Sequence, residues 1–194
     1  MGELFDRAIR FAVEKHAGQC RKGSQTPYIV HPLEAAAVVA TVTADDALLA
    51  AAVLHDTLED TSATAAEIRE AFGERVAALV GDESEDKRPG QDPRATWMIR
   101  KQEALARLRS AGSDARLIAL GDKLSNIRAI SRDHALLGDR LWQRFHQQDP
   151  ALHGWYYRAL AGIFEADPRL APTAACAEYR RLVRRVFPDA AEDA

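Results

Sequence analysis

The chain has 194 residues, 47% hydrophobic and 28% charged, with a formal net charge of −3 at pH 7. That balance excludes wholesale disorder and fibrous repeats, and the slight acidity argues against a partnership with nucleic acid through non-specific charge. No apolar run approaches the roughly 18 residues a bilayer span needs, the amphipathic N-terminus is unlike a leader, and Cys20 and Cys176 make no disulfide framework, so a cytoplasmic, reducing setting is expected.

Helical spacing dominates from the first residues. Leu4, Ala8, Phe11 and Ala12 share one face of a helix over 3–18, with Gly18 as its stop. A polar, turn-rich loop follows to about residue 30. His31 and Pro32 open a second helix, proline suiting a first helical turn. Asp45 starts a third, ALLAAAVLHDTLED, apolar enough to be mostly buried. Thr64 and Glu67 form a capping-box pattern for a short fourth helix ending near Phe72 and Gly73, and Glu74 to Val80 reads as a fifth.

Residues 81–93, GDESEDKRPGQDP, contain no apolar side chain and mark a surface loop or lid and the one internal break. Helices are then expected at 95–110, 114–130, 139–147, 150–165 and 172–187, with Pro188 closing the last. Strand signals are nearly absent. The expected fold class is all-α: a single helical-bundle domain over 1–194 with about eight to ten helices, the Arg-rich helix 172–187 docked on it.

Chemistry-bearing side chains interrupt the apolar pattern at three places. His31 begins an alanine-rich helix, His55 and Asp56 break LLAAAVL, and Asp122 follows LIALG. Adjacent residues of a helix point about 100° apart, so the His-Asp pair can face one end of a cavity. Two imidazoles with two carboxylates suit a borderline or fairly hard divalent ion such as Mn, Fe or Zn, with positions left for water. In HDTLED, Glu59 and Asp60 each lie four residues beyond a candidate ligand, one turn along, where a carboxylate can orient or deprotonate water. Asn126 stands in the same relation to Asp122, and Arg21 and Lys22 offer a planar guanidinium and a point charge to base or phosphate. His16, His134, His146 and His153 read as surface or core histidines, and Trp97, Trp142, Trp155, Tyr156 and Tyr157 as core.

Taken jointly, the order H…HD…D and the segments RKGSQTPYIVHP, HDTLEDT, EIREAFGERVAALV, SEDK and GDKLSNIR resemble the HD-domain hydrolases of alarmone metabolism, the hydrolase portion of RelA/SpoT homologues and their stand-alone small relatives. The resemblance runs over about 5–165. It implies the all-α HD-domain bundle and metal-dependent hydrolysis of the 3′-pyrophosphate of a purine alarmone such as (p)ppGpp or its adenosine analogue. It further implies Mn2+ held by His31, His55, Asp56 and Asp122, with Glu59 and Asp60 as catalytic acids. Arg21 matches the residue that stacks on the purine, Lys22 the phosphate-side lysine and Asn126 the substrate-site asparagine. Ala129 departs from the threonine that long relatives carry three residues after the asparagine. The expectation is a stand-alone hydrolase, monomer or homodimer, acting on a small nucleotide and not on membranes. Rival readings are another HD-type nucleotide phosphohydrolase, a 5′-nucleotidase or a 3′-phosphatase on a phosphorylated cofactor, and a non-catalytic nucleotide-binding sensor.

Overall fold

A computed structural model describes residues 3–188, and among them there are ten α-helices and no β-strand, so the all-α expectation holds. The helices are α1 (Glu3–Lys15), α2 (Val30–Ala40), α3 (Asp46–Leu54), α4 (Thr57–Asp60), α5 (Ala65–Phe72), α6 (Glu74–Glu83), α7 (Trp97–Ser110), α8 (Ser113–Leu137), α9 (Pro150–Ala166) and α10 (Ala174–Val186), with a 3-10 segment at Gly138–Arg144. By packing, the chain divides into two compact units: Met1–Glu85 with Ala111–Ser125, and Asp86–Ser110 with Asn126–Ala194. The first boundary falls in the apolar-free segment 81–93, whose first residues instead extend α6 to Glu83.

In the first unit α3 is central. Every residue from Leu48 to Leu54 is buried, and α1, α2 and α6 pack around it. A helix apolar on all sides has no solvent face to offer and goes to the middle. Asp45 caps it, accepting from the backbone N–H of Ala47 at 2.9 Å. The fourth expected helix is present as α5, with both hydrogen bonds of the Thr64–Glu67 capping box formed.

The expected third helix is broken. It stops at Leu54, passes through a turn at His55 and Asp56, and resumes as α4. Side chains take up carbonyls that a continuing helix would use. His55 Nδ1 lies 2.8 Å from Ala52 O, and the Thr57 hydroxyl donates to Leu54 O at 2.6 Å. The break thus falls at the two residues with the densest chemistry.

The second unit has an aromatic core. Trp142 stacks on His153 at 5.2 Å, Trp97 meets the same ring edge-on at 5.4 Å, and Tyr157 stacks on Phe187 at 5.7 Å. The α10 helix packs on α9 through Ala175, Cys176, Tyr179, Val183 and Val186, leaving Arg180, Arg181, Arg184 and Arg185 exposed, the docked helix expected from its pattern. Trp97, Trp142, Tyr156 and Tyr157 are buried, while Trp155 is half-buried. No described helix is long and apolar enough to cross a membrane.

Candidate functional site

Four side chains converge in the first unit. His31 comes from the first turn of α2, His55 and Asp56 from the break between α3 and α4, and Asp122 from α8. Close helix approach delivers Asp122: a Cβ built on Gly121 would lie 2.7 Å from Ala35 O and 3.0 Å from Val39 Cγ2, so only glycine lets α8 press this tightly on α2. His31 Nε2 then lies 3.2 Å from Asp122 Oδ1 and 3.4 Å from Asp56 Oδ2. His55 Nε2 lies 3.1 Å from Asp56 Oδ2, 3.6 Å from Asp122 Oδ1 and 3.2 Å from His31 Nε2.

The imidazole tautomers follow from the partners behind them. Ala52 O can only accept, so His55 Nδ1 carries the proton there. Ser125 Oγ donates to Glu34 Oε2 at 2.7 Å, so its oxygen accepts from His31 Nδ1 at 2.8 Å. In neutral rings both Nε2 lone pairs therefore point at each other and at two carboxylates, an arrangement that calls for a cation. His31, His55 and Asp122, all buried, each offer one atom within 4.8 Å of the others and could hold a metal ion.

The electrostatics of the cluster point the same way. Burial pulls the His55 imidazole down, yet Asp56 and Asp122 outweigh it and hold it well above the usual histidine range. Burial pushes both carboxyls up, but His55 and His31 bring Asp56 well below the ordinary value, and Lys123 with the same imidazoles does so for Asp122. The same carboxylate charge that favours a proton on His55 favours a divalent cation, and the mixed nitrogen and oxygen donors fit one.

The flanking acids are nearby and engaged. Glu59 Oε2 accepts from the Glu85 N–H at 3.2 Å, and Asp60 Oδ2 accepts from the Tyr28 hydroxyl at 3.1 Å. Both are half-buried. The Arg21 guanidinium lies 5.6 Å over the Tyr28 ring, Lys22 is exposed beside it, and Asn126 lies one turn beyond Asp122 on α8, where the second unit's share of that helix begins. His146 is exposed, His134 half-buried, and His16 and His153 are buried.

Five participants are absent from the sequence-based set. Tyr28 binds two of the acids, Ser125 and Glu34 orient His31, Lys123 pairs with Asp122, and Glu83 closes α6 beside the cluster. Burial pushes the Glu83 carboxyl up to about 7, Lys123 pulling against it and Asp122 adding to it. Of these only Lys123 had a local signal, its position beside Asp122.

The HD domain family matches residues 8–147, most of the chain and all of the cluster. The chain belongs to the HD-domain family. A guanosine-3′,5′-bis(diphosphate) 3′-pyrophosphohydrolase of Xenopus tropicalis is 39% identical to this HD-domain chain over 132 residues, 66% of the chain and 70% of that protein. A protein of the same name from Aquifex aeolicus (strain VF5) is 54% identical over 78 residues, 40% of the chain, which there spans 11% of the relative's length. Among solved structures, a metazoan ortholog of SpoT superposes with a TM-score of 0.71 over 95% of the chain and 96% of its own; at 24% identity this shows the shared HD-domain fold.

Proposed function

We propose that this HD-domain chain is a metal-dependent hydrolase that removes the 3′-pyrophosphate of a purine alarmone nucleotide, (p)ppGpp or its adenosine analogue, giving the nucleotide and pyrophosphate. The observation that carries it is the pair of back-fixed imidazoles facing two carboxylates, with two further acids one turn along. Relatives of the chain bear the name of that reaction, and the Xenopus protein is matched over most of its length. The whole chain, 1–194, acts in this reading as one hydrolase domain.

His31, His55, Asp56 and Asp122 hold the cation, most suitably Mn2+ among hard-to-borderline ions. When bound, it supplies Lewis acidity and charge neutralisation at the 3′-phosphates. Glu59, with Asp60, orients water for attack at phosphorus and takes its proton, which ends on the departing 3′-oxygen as the P–O bond breaks. Lys22 and Asn126 stabilise phosphate charge, and Arg21 exchanges its present seat on Tyr28 for the purine face. Both cysteines are free, as a reducing compartment keeps them, and the proposal places the enzyme in the cytoplasm.

The test is incubation of Mn2+-loaded protein with a panel of 3′-pyrophosphorylated and 3′-phosphorylated purine nucleotides, with products identified. Pyrophosphate release is expected, and Glu59→Gln should retain the metal while losing about 100-fold or more in rate. Release of orthophosphate alone, or a fully active Glu59→Gln protein, overturns the assignment.

A further inference from the structure

Tyr28 stands in the loop between α1 and α2, and its hydroxyl lies 2.7 Å from Asp56 Oδ2 and 3.1 Å from Asp60 Oδ2. A phenol has one proton, so it serves one of these carboxylates at a time. Asp56 Oδ2 is also the oxygen that faces the two imidazoles, at 3.1 Å from His55 and 3.4 Å from His31. Tyr28 therefore touches both the cation pocket and the acid beyond it through a single movable hydrogen.

The ring is held so that only that hydrogen has freedom. His16 lies against one face at 4.9 Å and 31°, His31 meets the ring edge-on at 5.9 Å, and the Arg21 guanidinium sits over it. His16 is 2% exposed and binds Gln19 Oε1 at 2.8 Å, and the Gln19 amide donates to Asp60 O at 2.7 Å. The same loop thus grips Asp60 by side chain and by backbone. A tyrosine serving only to fill space could satisfy its hydroxyl on any carbonyl; this one is aimed at two carboxylates.

We propose that Tyr28 is a positioning residue that passes its one hydrogen bond from Asp56 to Asp60 when a divalent cation draws on the Asp56 oxygen, fixing the Asp60 carboxylate for reaction. The idea rests on the roles given above to Asp56 and Asp60. The shift needs only rotation about the Cζ–O bond, because both acceptors already lie within hydrogen-bonding distance. A cation on Asp56 reduces the charge that made it the better acceptor, and Asp60 then competes successfully.

The experiment titrates Mn2+ alone into wild type and Tyr28→Phe, following the near-ultraviolet tyrosine difference spectrum and the heat of binding. The other three tyrosines, Tyr156, Tyr157 and Tyr179, belong to the second unit. Wild type should show a tyrosine band that saturates with the metal. Tyr28→Phe should lack it and bind Mn2+ within about threefold of wild type, since it keeps the ring and all four donors. In turnover, Tyr28→Phe should lose about tenfold in kcat with KM within about twofold, and add little to the loss in an Asp60→Asn background. A wild type without the band overturns the proposal, even where Tyr28→Phe proves too unstable to assay. So does a variant with unchanged kcat, or one whose kcat falls in step with its metal affinity. Should the wild type cleave no 3′-pyrophosphorylated nucleotide, the functional reading fails, while the Mn2+-dependent band still decides the hydrogen-bond transfer.

Discussion

His55 and His153 are both buried aromatic bases, one in each unit, and their surroundings push them in opposite directions. His55 faces Asp56 and Asp122, whose charge overcomes burial and raises its proton affinity. His153 is ringed by Trp97, Trp142 and Phe145, with Nε2 donating to Gln147 O at 2.9 Å; burial dominates and lowers its proton affinity. Burial alone therefore does not tell a structural histidine from a cation-seeking one. The sign of the shift does, because here the charge of two adjacent carboxylates reverses the desolvation penalty at His55 and nothing of that strength faces His153.

Replacing each histidine by alanine tests this contrast at its widest. His55→Ala should abolish Mn2+ binding by calorimetry and reduce hydrolysis by about 1000-fold or more, because a donor is lost beside two buried carboxylates. His153→Ala should leave Mn2+ affinity unchanged and cost about 2–4 kcal/mol of stability through the cavity it opens in the aromatic core. Equal losses of metal affinity in both variants would break the comparison.

A finer cut concerns what lies behind the imidazole. Ser125→Ala removes the acceptor of the His31 Nδ1 proton and the hydroxyl that donates to Glu34. The ring loses its fixed tautomer and orientation, so Mn2+ affinity should fall about 10- to 100-fold, with Ser125→Thr restoring most of it. Calorimetric titration of the three proteins reads this directly. An alanine variant with wild-type affinity would mean that packing alone aligns His31.

How far such features can be read from sequence depends on their reach along the chain. The capping box of α5 is complete within four residues, and the alternation of polar and apolar positions is enough to place α10's buried face. His31, His55, Asp56 and Asp122 stand out because each interrupts an apolar pattern. The break at His55 was invisible because the apolar run continues up to it and the carbonyls are captured by side chains that also suit a helix. Ser125 and Glu34 are 91 positions apart, and nothing local links them. Tyr28 lies in a loop without periodicity, where no pattern says which way a ring points. Nothing local marks Gly121 either, since its constraint comes from the Ala35 carbonyl on another helix.

The smallest effect separates the two histidines by pH in the metal-free protein. His153 has a folded-state proton affinity below its ordinary value of 6.5, from burial first and from Lys101, with the Gln147 carbonyl opposing. Its contribution to stability is therefore complete above the unfolded pKa and is lost as pH falls through the lower, folded value. His55 is raised, so its contribution is complete below the unfolded pKa and is lost only as pH climbs through the raised value. Melting from about pH 7 down to about pH 5 in chelator should thus fall more steeply for wild type than for His153→Phe, by up to about 1 kcal/mol at the acid end. Phenylalanine keeps the ring in its aromatic cage but has no proton to gain, so the slope, not the absolute stability, carries the comparison. Parallel curves would show that His153 keeps an ordinary proton affinity despite its burial, and the opposition between the two histidines would rest on His55 alone.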